Sequence, residues 1–154
     1  MRHKVAGRGF GRNAHQRKAL LRCLVTSLIE HLKIETTAAK AKEAKRMAER
    51  IITLGRRGDL HSRRIALSRI PNNKIISKLF TEIAPKITRT SGYLRLVKTR
   101  LRAGDSADMA ILEFADYDLL KPEKKEKKEK KEEKKKEEKK ESKKKKTKEE
   151  KKEG

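Results

Sequence analysis

The chain has 154 residues, with 45 Lys or Arg against 22 Asp or Glu, and its formal net charge at pH 7 is +23. A charge this large indicates a polyanionic partner. No apolar run approaches the ~18 residues that a membrane span requires, and the single cysteine excludes an internal disulfide. We therefore expect no membrane contact and a reducing, cytoplasmic location.

Residues 1–12 are predicted to form a basic N-terminal arm. The first 29 residues contain no acidic side chain, and three glycines between 7 and 11 disfavour regular structure. Seven basic residues lie within the first 22: Arg2, Lys4, Arg8, Arg12, Arg17, Lys18 and Arg22. Such a segment cannot bury a core, and it would order against closely spaced phosphates, where it releases counterions. A mitochondrial transit peptide has a similar composition and is an alternative.

Apolar residues at helical spacing predict a first helix that begins after Asn13 and runs to about His31. Its predicted buried stripe comprises Leu21, Leu24, Val25, Leu28 and Leu32. Cys23 lies on the other side of this helix, so we assign it no role as a nucleophile or ligand.

A second helix is predicted over residues 38–54, with Thr37 as its N-cap and Gly55 as its stop. Its predicted inner face consists mainly of small side chains: Ala41, Ala44, Ala48, Ile51 and Ile52. Small residues on this face would allow close approach of a neighbouring element.

Two shorter helices follow. Asp59 is placed to cap a third helix over 60–69, and Asn72 or Asn73 to cap a fourth that ends near Pro85. The apolar residues of the fourth helix recur at helical spacing and are predicted to face inward.

Three strands complete the predicted body. A short extended segment covers 33–36, and a hairpin is predicted from 93–99 and 109–115 around a turn at 103–105. The order α-β-α-α-α-β-β predicts an α/β (α+β) two-layer sandwich, in which helices cover a small three-stranded mixed sheet. We expect this single globular domain to span residues 13–118.

Residues 119–154 are predicted to form a disordered tail. The last 34 residues contain 19 Lys and 11 Glu, and the only others are Pro122, Ser142, Thr147 and Gly154. Glu-to-Lys pairs at four-residue spacing favour transient helix, but no apolar residue is present to pack it.

Further basic clusters occur in the body. For Lys40, Lys42, Lys45 and Arg46, contact with RNA and a solvated helix face are equally compatible with the pattern. The pairs at 56–57 and 63–64 are ambiguous in the same way. Three basic residues of the predicted hairpin are better candidates, because they are expected to converge on one tip: Lys98, Arg100 and Arg102.

Catalysis is not expected from the residues present. The four histidines and Cys23 lack metal-ligand spacing. The body has one acidic cluster: Asp105, Asp108, Glu113, Asp116 and Asp118. A metal-dependent nuclease needs paired carboxylates, but Asp105 and Asp108 belong to a turn, where Asp is favoured for local hydrogen bonding. We therefore expect no catalytic residue, metal, cofactor or small-molecule substrate.

Three ordered blocks carry a resemblance to a known family. They are Met1-Arg2-His3-Lys4 with Gly7-Arg8 and Arg17-Lys18-Ala19-Leu20; Ile34-Glu35-Thr36-Thr37 with Lys40-Ala41-Lys42; and Gly92-Tyr93-Leu94-Arg95 with Arg102-Ala103-Gly104-Asp105 and Met109-Ala110. Over residues 1–117 the chain resembles the bacterial ribosomal large-subunit protein L-seventeen family. The Lys/Glu tail lies beyond this region.

The resemblance implies a structural role on the large ribosomal subunit, bound to 23S rRNA near the exit side of the peptide tunnel and beside other large-subunit proteins. Carried over by position, the implied RNA contacts are Arg2, His3, Lys4, Arg8, Arg12, Arg17, Lys18, Lys40 and Lys42. His15 is a further candidate, although it precedes the position where the family usually has His, which here is Gln16.

The function hypothesis is therefore a structural constituent of the large subunit that stabilises rRNA folding. The main alternative is a nucleoid-associated DNA-binding protein with a Lys-rich tail, which predicts a preference for duplex DNA over rRNA. An RNA nuclease that uses the acidic cluster is a weaker alternative, and it predicts Mg²⁺-dependent cleavage.

Overall fold

The computed structural model describes residues 7–120; Arg2, His3, Lys4 and residues 121–154 of the predicted tail lie outside the described residues. In chain order the elements are α1 (Ala14–His31), β1 (Lys33–Thr37), α2 (Ala38–Arg57), α3 (Leu60–Arg69), α4 (Asn73–Lys78), β2 (Leu94–Leu101), β3 (Asp108–Phe114) and α5 (Tyr117–Leu120). Among these residues no helix combines the length and apolar character that crossing a membrane requires. The predicted order of elements is confirmed, with α5 added.

Helix α1 begins where the sequence predicts. The Asn13 side chain accepts a hydrogen bond from the Gln16 backbone N–H at 2.9 Å, and the Gln16 side chain accepts one from the Asn13 N–H at 3.4 Å, forming a capping box. The fully buried residues of α1 are Val25, Leu28 and Ile29. Ile29 was not in the predicted stripe; because α1 contacts α2, β1 and α4, its buried face is wider than one stripe.

Helix α2 is longer than predicted, and the expectation that Gly55 ends it is wrong. Gly55 lies inside the helix and is buried, while Gly58, with φ +75°, occupies the C-cap. A Cβ at Gly55 would lie 3.3 Å from Leu79 Cγ and 3.4 Å from Ala84 Cβ. Glycine at position 55 therefore permits close packing of the helix, and α2 ends instead at its C-cap, Gly58.

Helices α3 and α4 start at capping residues. The Asp59 carboxylate accepts a hydrogen bond from the Ser62 N–H, and Asn72 rather than Asn73 caps α4. The fourth helix does not continue regularly to Pro85: α4 is followed by a π-helical turn and then a 3₁₀ turn over 84–86. Proline lacks an N–H and crowds the carbonyl four residues earlier, so the regular ladder cannot continue through it.

The sheet has the order β1-β3-β2, and β3 is antiparallel to both neighbours. The expectation of a mixed sheet is therefore wrong. Strands β1 and β2 point the same way, as the helices between them allow, but β3 lies between them and separates them. Leu112 occupies the centre, opposite Ile34 of β1 and Leu96 of β2.

The helices cover one face of this sheet, as predicted. Ala110, Leu112 and Phe114 of β3 face the helices and are buried. The core extends slightly beyond residue 118, where the domain was expected to end, because Leu120 of α5 is also buried. These contacts hold β1, β2 and the start of α2 in a fixed relation to one another.

On the opposite face of the sheet, the buried Glu113 carboxylate pairs with two partly exposed cations. Glu113 is 6% exposed, and its carboxylate accepts hydrogen bonds from Arg95 Nε and Nη2 at 2.9 and 2.6 Å. Lys33 Nζ lies 3.4 Å from the other carboxylate oxygen. Burial alone would raise the pKa of Glu113, but the hydrogen bonds and charges of Arg95 and Lys33 outweigh it and hold this pKa below its ordinary value.

We expect Glu113→Gln to lower the free energy of unfolding at pH 7 by about 1 to 2 kcal/mol, because charge-assisted hydrogen bonds are lost. The depressed folded-state pKa contributes stability that is present above the unfolded-state pKa and is lost as pH falls through the folded-state pKa. The variant should therefore lose less stability than the wild type below about pH 4. Urea unfolding between pH 7 and pH 3 measures both effects.

A matched control is Glu35→Gln, because Glu35 is 40% exposed and forms a looser pair with Arg100 at 3.5 Å. This control should lose less free energy of unfolding at pH 7 than Glu113→Gln, because exposed ion pairs stabilise little. An unchanged pH dependence in Glu113→Gln would show that the buried Glu113 carboxylate does not couple stability to pH.

Candidate nucleic-acid interface

The main candidate site is a depression of about 360 Å³ where the arm, the start of α2, β2 and the β2–β3 loop meet. Its lining residues are Arg8, Thr37, Ala38, Ala39, Lys42, Lys98, Ala107 and Asp108. Three basic residues predicted from the sequence are thus brought together from three separate segments. We name this site the basic depression.

Local geometry explains how the three cations reach the basic depression. Gly7, with φ +101°, turns the arm just before Arg8. Lys42 follows Ala38 by four residues and so lies on the same face of α2. Lys98 is paired with the buried Ala110 and therefore points to the helix-covered side of the sheet.

The start of α2 adds positive potential to the basic depression. This helix has 20 residues, no acidic side chain in its first turn, and no side-chain hydrogen bond from Thr37 at its N-cap. The first N–H groups of a helix lack intrahelical partners and carry partial positive charge, which favours an anion. The basic side chains and the helix dipole therefore act in the same sense.

The charge balance of the basic depression is positive. Its lining contains three cations and one carboxylate, Asp108. Within residues 7–120, none of Arg8, Lys42 and Lys98 forms an ion pair with an acidic side chain. The geometry suits phosphate groups, which accept hydrogen bonds from cationic side chains and backbone N–H groups together.

The rest of the described arm forms a local turn. The Arg12 N–H donates to the Gly9 carbonyl at 3.2 Å, and Arg12 Nη1 donates to the Phe10 carbonyl at 2.9 Å. Phe10 has φ +57°, an uncommon conformation for a non-glycine residue. His15 and Lys18 lie exposed on the first turns of α1, and Arg17 is partly buried.

Arg22 has an intramolecular role. Its Nε donates to the Arg69 carbonyl at 2.7 Å, and its Nη2 donates to the Ser68 carbonyl at 3.5 Å. These carbonyls lie at the end of α3, where the backbone lacks intrahelical partners. Arg22 therefore joins α1 to the C-terminus of α3, and this contact had no signal in the sequence pattern.

The sequence predicted that Lys98, Arg100 and Arg102 would converge at the tip of the β2–β3 hairpin. The structure does not show this arrangement. A bulge between Lys98 and Leu101 changes the side-chain alternation of β2. Lys98 faces the basic depression, whereas Arg100 pairs with Glu35 at 3.5 Å.

At the tip itself, Arg102 forms a bidentate ion pair with the Asp105 carboxylate, with N–O distances of 2.6 and 2.9 Å. The Arg102 hydrogen bonds hold the pKa of the Asp105 carboxyl down at about 2, and Asp105 in turn raises the pKa of Arg102. This pair remains charged across the physiological range, and its two charges largely cancel.

Members of the predicted acidic cluster form ion pairs with different basic residues. Glu113 pairs with Arg95 and Lys33 on the sheet, and Asp116 pairs with Arg89 at 3.1 Å. In the part of the chain that the structure describes, no three His, Cys, Asp or Glu side chains form a group suited to a metal ion. Cys23 is exposed, on the side of α1 that the sequence predicted.

Sequence reasoning missed the backbone contribution to the site. The segment Thr37–Ala39 was treated only as a helix start, and Ala107 was not considered. The available signal was the acid-free first turn of α2, which follows directly from the sequence. Only the tertiary structure brings Arg8, Lys42 and Lys98 together at this site.

The fold and the basic depression define a small, strongly basic two-layer α/β protein with an anion-attracting site at the junction of its arm and sheet. The model of the family described as "Ribosomal protein L17" matches residues 20–115. The chain therefore belongs to this family, as the sequence resemblance indicated.

Curated relatives are similar over most of their length. The chain is 59% identical over 126 residues to "Large ribosomal subunit protein bL17" of Thermodesulfovibrio yellowstonii, covering 81% of this chain and 93% of the relative. The proteins of the same name from Desulfotalea psychrophila and Geobacter metallireducens are 50% and 48% identical, covering 77% and 81% of this chain and 92% and 71% of the relatives.

Proposed function

We propose that the protein binds 23S rRNA near the exit side of the peptide tunnel and stabilises the folding of that RNA, beside neighbouring large-subunit proteins. The broader role follows from the family: the protein is a structural constituent of the large ribosomal subunit in the cytoplasmic ribosome, and it is not an enzyme.

The basic depression is the observation that carries the rRNA proposal. Arg8, Lys42 and Lys98 come from three segments of the chain, and they surround an acid-free helix start without carboxylate partners among the described residues. Holding three like charges together is unfavourable in the isolated protein, and a polyanion relieves that repulsion. RNA phosphates provide this polyanion.

Recognition of this kind depends on the positions of phosphates more than on base identity. Cationic side chains and backbone N–H groups contact phosphates and fix the position of a protein on RNA, but they do not read sequence. Folded RNA places phosphates from different strands close together, and the protein reads this shape. The globular body would dock on such a site while the arm follows the RNA surface.

The proposed contact set extends beyond the basic depression. It comprises the residues expected from the sequence: Arg2, His3, Lys4, Arg8, Arg12, His15, Arg17, Lys18, Arg22, Lys40, Lys42, Lys98, Arg100 and Arg102. Their contribution should differ, because Arg22, Arg100 and Arg102 already have intramolecular partners that RNA would have to share or displace.

The experiment is a sucrose-gradient separation of a native lysate, followed by an immunoblot for the full chain before and after a high-salt wash. We expect co-migration with the large subunit that survives the wash, because a protein embedded in folded rRNA dissociates slowly. Release of the protein to the top of the gradient by moderate salt would contradict integral binding.

Binding to purified 23S rRNA and to duplex DNA of equal nucleotide concentration then separates the two nucleic-acid partners. We expect tighter binding to the rRNA at 0.15 M salt. A preference for duplex DNA would overturn the rRNA proposal in favour of a nucleoid role.

A further inference from the structure

We propose that the exposed face of α2 is a second RNA-backbone contact, which continues from the basic depression to the α2–α3 turn. We name it the α2 ridge; it consists of Lys42, Arg46, Arg50, Thr53 and Arg57, all of which are exposed. This inference rests on the proposed function, since it extends the same RNA-binding surface. It assigns RNA contact to three arginines that the sequence left ambiguous or unassigned.

The geometry of an α-helix places these five residues in one line. With 100° between successive residues, positions 42, 46, 50, 53 and 57 fall within an arc of about 80°, and they extend over about 22 Å along the axis. The opposite face is formed by buried Ala41, Ala44, Ala48, Ile51 and Ile52. Packing of this inner face fixes the outward direction of the ridge.

The charge pattern of α2 is not that of an ordinary solvated face. The helix carries seven basic and two acidic side chains, and neither acid lies within the ridge. Glu43 and Glu49 flank it and are partly shielded, with side chains 16% and 34% exposed. The α2 ridge is therefore basic, while the two acidic side chains lie at its edges and are less exposed.

Ion pairing leaves much of the ridge charge uncompensated. Arg46 lies 4.0 Å from the Glu43 carboxylate, the limit of an ion pair, and exposed pairs of this kind stabilise little. In residues 7–120, Arg50 and Arg57 form no ion pair with any acidic side chain. By contrast, Arg56 is outside the ridge and its Nη1 donates to the Tyr93 hydroxyl at 3.3 Å.

The ridge is continuous with the site already described. Lys42 belongs to both, and the arm passes beside the same helix turn, because a Cβ at Gly7 would lie 3.6 Å from the Glu43 carboxylate. An RNA strand that enters the basic depression can thus follow the row of basic side chains along α2, which Glu43 and Glu49 flank. The helix would act as a straight, rigid contact.

The test uses the full chain and 23S rRNA, with filter binding from 50 to 200 mM KCl. We expect Arg50→Gln with Arg57→Gln to weaken binding roughly tenfold at 0.1 M salt and to reduce the slope of log affinity against log salt by about 1.4 to 1.8, the value for two lost phosphate contacts. The matched control is Lys74→Gln with Lys86→Gln, two exposed lysines away from the ridge. Thermal melting followed by circular dichroism checks that each variant is folded.

The comparison variant carries Arg8→Gln, Lys42→Gln and Lys98→Gln. If this variant loses affinity while the ridge variant equals its control, the ridge inference is wrong and the rRNA proposal stands. If neither variant differs from its control, or if the wild type does not bind the rRNA, the ridge inference and the rRNA proposal are both overturned. Hydroxyl-radical footprinting should also show different protected nucleotides lost in the two variants, and loss of the same nucleotides would contradict a second contact.

Discussion

Replacing Arg8, Lys42 and Lys98 together by Gln should lower the affinity for 23S rRNA about a hundredfold at 0.1 M salt and reduce the salt slope by about 2 to 3. Each cation that meets a phosphate releases a condensed counterion, so the loss grows with the number of contacts removed. The effect should be large because these side chains are not neutralised by carboxylates among the described residues. Filter binding at several salt concentrations measures both quantities.

The control for this variant removes the same charge from exposed positions elsewhere, by Lys74→Gln, Lys86→Gln and Arg69→Gln. If contact geometry matters, the control should change affinity only a few-fold, through net charge alone. Equal losses in both variants would mean that binding follows total charge, and the basic depression would then have no special role.

The largest effect on stability is expected from Leu112→Ala, which should lower the free energy of unfolding by about 3 kcal/mol. Leu112 is completely buried at the centre of the sheet, between strand neighbours on both sides and beneath the helices. The cavity would lie at β3, which is hydrogen-bonded to a strand on each of its edges, so it cannot collapse easily. A fall of about 10 °C or more in Tm corresponds to this loss.

Val97→Ala is the matched control, since Val97 lies on the neighbouring strand β2 and is 41% exposed. It should cost less than about 1 kcal/mol, because little buried surface is removed. Thermal and urea unfolding of the two variants gives the comparison. Similar losses for the two would show that the central strand is not the main stabilising element of the sheet.

The distribution of paired and unpaired cations also separates the two sides of the molecule. On the outer face of the sheet and in the hairpin, Arg95, Arg100 and Arg102 each have a carboxylate partner. Around α2 and the arm, several basic side chains lack one within residues 7–120. RNA affinity should therefore come mainly from the α2 side.

Local signals predicted much of the fold correctly. Asn13 and Asp59 mark the starts of α1 and α3, because their side chains satisfy N–H groups only a few residues away. The predicted helix end at Gly55 and the predicted mixed sheet were wrong for the same reason: both features depend on parts of the chain that are distant in sequence. Gly55 lies close to Leu79 and Ala84, and β3 inserts between β1 and β2.

The candidate site shows the same division. The sequence identified Arg8, Lys42 and Lys98 as basic residues of interest, but it placed Lys98 at a hairpin tip with Arg100 and Arg102. The bulge in β2 and the pairing of Lys98 with Ala110 decide otherwise. Contact of all these residues with RNA remains a prediction.

The sequence by itself determined the chemical character of this protein: an excess of 23 positive charges, an acid-free first 29 residues, and helix starts set by local caps. These properties depend on composition and on neighbours close in the chain. Only the tertiary structure decided which cations converge and which find carboxylate partners far along the chain, because the Arg100–Glu35 pair, the Lys33–Glu113 pair and the basic depression join segments that are tens of residues apart. Charge is additive along the chain, whereas its local balance depends on packing.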